Sequence, residues 1–178
     1  MTARFVPATP SALIHATAVA LLDATKPFGG PIEGAVLLLG ESGAGKSDVA
    51  LRLIAAGAKL ISDDQTMLFV ENGRVLADAP STLAGGMEIR GVGIIRVEKA
   101  PAAPVILAVR LVEGAVSRMP EPEVYALPGS LQADVKVPLV MLNAHDASTP
   151  AKIAAAAAGF VHSAFVEGAS CPPHAPSF

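Results

Sequence analysis

The chain has no tryptophan, a single tyrosine and a single cysteine, Cys171, among its 178 residues. One cysteine cannot close an intramolecular disulfide, and the prolines around Cys171 offer nothing that would activate a thiol, so it reads as a spectator. Charge is scarce as well. Only 16% of residues are charged, the formal net charge is −3, and the 13 lysines and arginines form no run. Such a chain has no field with which to grip a nucleic-acid backbone or an anionic membrane surface, and neither is expected as a partner. No stretch reaches the roughly 18 apolar residues of a membrane span, and the N-terminus has no basic segment leading into a long apolar one. A cytoplasmic location is the expectation. His145, His162 and His174 have no ligand spacing among themselves or with the cysteine, which excludes a structural metal site of the usual kind and leaves all three as surface or core residues.

What the chain does have is apolar surface to bury: 52% of it is hydrophobic. This suits an α/β domain with one core, expected over residues 1–167, with residues 168–178 as a flexible tail. The alternating stretch Leu13 to Leu21 reads as a strand followed by a loop, and Ala35 to Leu39 as a strand buried on both faces. Val49, Ala50, Leu53 and Ile54 recur at helical spacing up to a stop at Gly57. Lys59 to Ser62 then forms a second buried strand, expected to pair in parallel with the first. Met67–Val70 and Arg74–Ala77 flank Asn72-Gly73, the signature of a hairpin turn, here expected to face solvent. The glycine-rich stretch Ala84 to Gly93 is not expected to be regular throughout. Val105–Val112 and Val137–Leu142 read as further strands, and a helix is expected from Pro150 to Phe165, capped by Ser148 or Thr149.

Gly40-Glu41-Ser42-Gly43-Ala44-Gly45-Lys46-Ser47 matches Gly-x-x-x-x-Gly-Lys-Ser/Thr at every defined position. Its setting between a buried strand and a helix is what gives the match weight, because backbone N–H groups and the helix dipole converge there on an anion. Lys46 would reach the β- and γ-phosphates of ATP, and the Ser47 hydroxyl would ligate Mg²⁺. Asp63 and Asp64 end the next strand at the sheet edge where ligands collect. One of them could hold the magnesium or its water and the other could take a proton from an attacking hydroxyl; spacing does not say which.

Together these pieces resemble the catalytic, C-terminal domain of HPr kinase/phosphorylase, in the short form found in alphaproteobacteria. Ser11 to His15 is similar to the family's strand bearing its catalytic histidine, Gly40 to Ser47 to its P-loop, and Leu60 to Asp64 to its acidic strand end. Met87-Glu88-Ile89-Arg90-Gly91-Val92-Gly93-Ile94-Ile95 resembles its Glu-Ile-Arg-Gly-x-Gly-Ile-Ile signature. The resemblance implies a P-loop core of the HPr kinase/phosphoenolpyruvate carboxykinase type, α/β, with a mixed central sheet and flanking helices. It implies that Asp64 is the base, Asp63 its supporting neighbour and a metal-side residue, Glu88 a metal ligand with Ser47, and His15 and Lys46 catalytic partners. It also implies an HPr-type phosphocarrier as partner and a homo-oligomer, in the family a hexamer.

The resemblance is strong from Ser11 to Ile95 and weaker beyond. Residues 23–31 form an inserted loop, no counterpart of the family's Tyr-Asp-Arg segment occurs in Glu123–Gly129, and Val137–Leu142 stands where the family has a loop rich in arginine. Loss of these basic groups leads to an expectation of kinase activity with reduced or absent phosphorylase activity. Two other readings fit the same motifs: a nucleotide-binding regulatory module without catalysis, and a small-molecule P-loop kinase.

Overall fold

The computed structural model describes residues 10–22, 28, 32–80, 86–131 and 134–162. The expectations for the inserted loop other than Phe28, for Cys171 and His174, and for the tail at 168–178 lie outside the described residues.

The apolar run before the glycine turn becomes β3 (Ile32–Leu39), whose residues Ala35 to Leu38 are fully buried. A strand covered on both faces needs strands on both sides, and β3 has them: β9 (Ala103–Val112) in parallel and β2 (Thr17–Leu22) antiparallel. Beyond β9 lie β11 (Val137–Asn143), parallel to it, and β10 (Glu123–Tyr125), antiparallel to β11. Beyond β2 lies β4 (Lys59–Ser62), antiparallel to β2. The expected parallel pairing of β3 with β4 is therefore corrected. The two point the same way, but β2 is inserted between them and takes the hydrogen bonds of both.

The stretch expected as one strand over Leu13 to Leu21 is two. β1 (Ser11–Ile14) pairs with β5 (Thr66–Glu71), whereas β2 runs in the central sheet, and the chain turns between them at His15-Ala16. The Thr66 hydroxyl donates to the Ala16 carbonyl at 2.8 Å and fixes that corner. β5 continues through Asn72-Gly73, both at positive φ (50° and 73°), into β6 (Arg74–Asp78), which joins the first residues of β9. This hairpin exposes its turn but buries Leu68, Val75 and Ala77, so it covers the sheet and does not simply face solvent. The glycine-rich stretch resolves into a small hairpin of its own, β7 (Gly86–Ile89) with β8 (Gly93–Arg96).

α1 (Lys46–Ala55) and α2 (Thr149–His162) pack on one face of the central sheet, where Val49, Leu53, Ile153 and Ala157 meet Val36, Leu38, Leu107 and Val109. The alternate residues Ala35, Leu37 and Ala108 face the other core, closed by β5 and β6 and by Leu131. Gly57, at φ 103°, ends α1: its N–H reaches the Ile54 carbonyl (3.0 Å) and the Ala58 N–H reaches that of Leu53 (3.0 Å), the two bonds of a Schellman cap. At the start of α2 the Ser148 carbonyl accepts the first helical bond, from Lys152 N–H (2.9 Å), making Ser148 the cap, while the Thr149 hydroxyl turns back to the Asn143 carbonyl. No described helix is long and apolar enough to cross a membrane.

Leu53 is fully buried where α1 meets the sheet. Leu53→Ala is expected to lower the unfolding free energy by about 3 kcal/mol, measured by chemical denaturation. A loss under about 1 kcal/mol would show that this face does not hold the helix.

Candidate functional site

The turn after β3 closes on itself through the Ala44 N–H, which donates to the Glu41 carbonyl at 3.1 Å. It then enters α1 at Gly45, whose φ is 89° and whose missing Cβ would stand 2.9 Å from the Ala144 side chain. Glycine is required there on both counts. Gly43, at φ 86°, has open space around it, so there the requirement is purely conformational.

Lys46 follows immediately and is only 6% exposed. A buried ammonium needs acceptors, and three surround it: the carbonyls of Gly40 and Glu41, each at 2.9 Å, and His15 Nε2 at 3.0 Å. Since an ammonium only donates, the contact requires the lone pair of Nε2, which leaves the ring proton on Nδ1. Nδ1 faces Asp64 Oδ1 at 3.3 Å. Lys46, His15 and Asp64 thus form one chain across the strand ends. Asp64 has φ 65°, a left-handed conformation uncommon outside glycine but most accessible to Asp and Asn. Its side chain is 72% exposed and open to an incoming group.

Asp63 points the other way. Its Oδ1 accepts from Ser47 Oγ at 3.0 Å and from Thr17 Oγ1 at 2.9 Å, and the Thr17 oxygen in turn accepts from the Asp64 backbone N–H at 3.3 Å. The cleft above these groups measures about 900 Å³ and is lined by Ser42, Gly43, Gly45, Lys46, Ser47, Asp63, Asp64 and Glu88, among others. Glu88 reaches it from β7. No group of three His, Cys, Asp or Glu side chains converges as a metal cage among the described residues. The Ser47–Asp63 oxygen pair nonetheless suits magnesium, which takes one or two protein oxygens and completes its shell with water and phosphate.

The motif residues that lie far apart in sequence are therefore brought to one edge: His15 from the β1–β2 corner, the loop from β3, the two aspartates from β4, and Glu88 from the β7–β8 hairpin. Residues 32–114 match the family model described as the HPr Serine kinase C-terminal domain. Over this segment the chain is similar to HPr serine kinase C-terminal domains. The solved Hpr(Ser) kinase/phosphatase from Coxiella burnetii superposes with a TM-score of 0.62 at 26% identity, covering 80% of this chain and 86% of that one. An HPr kinase/phosphorylase of Clostridium botulinum (strain Eklund 17B / Type B) is 44% identical over 62 residues, which is 35% of this chain and 20% of the relative. One from Lactobacillus delbrueckii subsp. bulgaricus is 49% identical over 65 residues, or 36% of this chain and 21% of the relative. The chain thus matches about a fifth of the length of these curated relatives.

Two residues of this site carry no motif. Thr17 is fully buried and holds both aspartates; it is one small polar residue in an apolar strand, and only the β2–β4 pairing reveals its task. His145, expected to be an ordinary surface or core residue, lines the cleft from the loop between β11 and α2. Lack of ligand spacing excluded a metal role for it but said nothing about proximity to the phosphate loop.

Thr17→Val keeps the shape but leaves Asp63 and the Asp64 N–H without their shared partner. It is expected to cost about 1–3 kcal/mol in unfolding free energy, with Thr17→Ser recovering much of the loss. Equal losses in the two variants would mean that packing, not the hydroxyl, matters.

Proposed function

We propose that the protein is an ATP- and magnesium-dependent protein-serine kinase acting on an HPr-type phosphocarrier, with residues 1–167 as its catalytic domain. The observation that carries the reading is the Lys46–His15–Asp64 chain beside the phosphate loop, because it couples a phosphate-binding cation to an exposed carboxylate of the kind that activates a hydroxyl. The likeness to HPr kinases over residues 32–114 supports the choice of a serine on a carrier protein over a small-molecule acceptor.

In this reading the loop amides and the N-terminus of α1 hold the phosphates. Lys46 exchanges its carbonyl partners for β- and γ-phosphate oxygens. Ser47, Asp63 and Glu88 are the residues that would hold a magnesium ion, which would offset phosphate charge there. Asp64 accepts the serine proton as the serine oxygen bonds to the γ-phosphorus and the bond from that phosphorus to the β,γ-bridging oxygen breaks, releasing ADP. His15, with its Nδ1 proton towards Asp64, orients the carboxylate. Most of the acceleration in such transfers comes from positioning and electrostatics.

The reverse, phosphate-consuming reaction is reduced or absent, since the chain lacks the arginines that the resemblance places near Tyr125 and in the segment occupied here by Val137–Leu142. Self-association, which the resemblance implies, belongs to the same proposal.

Purified protein is incubated with labelled ATP, magnesium and an HPr-type carrier. Label is expected on a carrier serine, with Lys46→Ala abolishing transfer and Asp64→Asn lowering it about 10²- to 10⁴-fold. Binding of ATP without labelling of any carrier would favour a regulatory nucleotide-binding module instead. Rapid release of label on adding inorganic phosphate would overturn the loss of the reverse activity.

A further inference from the structure

The order of strands places the phosphate loop between two unlike flanks. On the β2–β4 side stand His15, Asp63 and Asp64, the groups assigned to the reacting end of the triphosphate. On the β9–β11 side the neighbouring loop is the one joining β11 to α2, which carries Ala144 and His145. Ala144 sits against Gly45, close enough that a Cβ on the glycine would clash with it. The β11–α2 loop therefore abuts the entry to α1 on the side away from the acids. If the γ-phosphate lies towards Asp64, the α-phosphate and whatever it bears leave towards His145.

This loop is unusually well fastened. Arg52, from the last turn of α1, donates to the Asp146 carbonyl at 3.1 Å and to that of Ala144, and Asp48 holds the guanidinium at 2.9 Å. The Asn143 side chain accepts from the His145 backbone N–H at 2.8 Å and donates to the Gly114 carbonyl at 2.9 Å, and Lys152 pairs with Asp146 at 3.0 Å. The backbone of His145 is thus fixed, whereas its ring is exposed and makes no hydrogen bond or ion pair with the described residues. A rigid mount for an uncommitted side chain suits a ligand contact better than a structural role. No Phe, Tyr or Trp lines the cleft, so His145 provides its one flat ring among the described residues.

We infer that His145 is the base-side contact of the nucleotide, its imidazole stacking on the purine while Arg52 holds the loop that presents it. The inference rests on the nucleotide reading above and assigns that site its second end. The phosphates are already served by Lys46 and the amides of the α1 N-terminus, so the ring is left to recognise the part of the nucleotide that carries no charge. Stacking accepts any base, because each has a π face.

The test compares ATP with inorganic tripolyphosphate, which has the charge but no base, by calorimetric titration in the presence of magnesium. His145→Ala is expected to weaken ATP binding about 5- to 20-fold and to leave tripolyphosphate unchanged. GTP should lose affinity in the same proportion as ATP, and His145→Phe, which keeps a flat ring, should retain most of it. Equal weakening of ATP and tripolyphosphate would overturn the inference by making His145 a phosphate contact, as would unchanged binding of both or a His145→Phe variant as weak as His145→Ala. If the wild-type protein binds tripolyphosphate and ATP equally well, the base has no subsite and the inference fails while the phosphate site stands. If it binds neither, the nucleotide reading fails first.

Discussion

A lysine side chain that is almost completely covered must have its ammonium protons accepted by the protein, and meeting that requirement at Lys46 organises the site around it. Two acceptors are carbonyls of the glycine turn itself, which obliges the backbone from Gly40 to Gly45 to curl over the side chain. The third is a ring nitrogen brought from thirty-one residues upstream. Because that nitrogen must offer a lone pair, the opposite nitrogen of His15 is left as a donor, and Asp64 faces it. One buried charge thus fixes the shape of a loop, the tautomer of a histidine and the partner of a carboxylate. In the proposed reaction the same ammonium trades carbonyls for phosphate oxygens, so the loop is held in form before the nucleotide arrives.

The sheet supplies the geometry that this arrangement needs. β2 lies between β3 and β4, and that insertion sets His15 beside the aspartates: His15 precedes β2, while Asp63 and Asp64 follow β4. Thr17, at the first position of β2, is the joint between them. Its hydroxyl donates to Asp63 and accepts from the backbone of Asp64, which helps to hold the left-handed turn that separates the two carboxylates. Adjacent in sequence, they point to different tasks, one towards Ser47 and the other towards His15.

Much of this was legible in the residues. The phosphate loop, the helix after it and its stop at Gly57 follow from local rules, because a Cβ is excluded at glycines of positive φ and the apolar positions recur at helical spacing. Asn72-Gly73 announced its turn for the same reason. The expected parallel pairing of β3 with β4 did not hold, since a strand that precedes both in sequence and pairs with both leaves no local trace. The split between β1 and β2 was hidden likewise: apolar residues continue across His15, and only the hydrogen bond from Thr66 shows where the chain turns.

By itself the sequence determined which chemistry was present: a loop built for phosphate, a lysine and a hydroxyl after it, and two acids at a strand end. Those depend on the covalent character and spacing of neighbouring residues, which the chain carries before it folds. Only the tertiary structure decided which acid faces the histidine, that Thr17 joins the two aspartates, and that the loop bearing His145 closes the opposite flank. Each of these depends on strand order and on hydrogen bonds between segments tens of residues apart, which packing selects and no short-range pattern records.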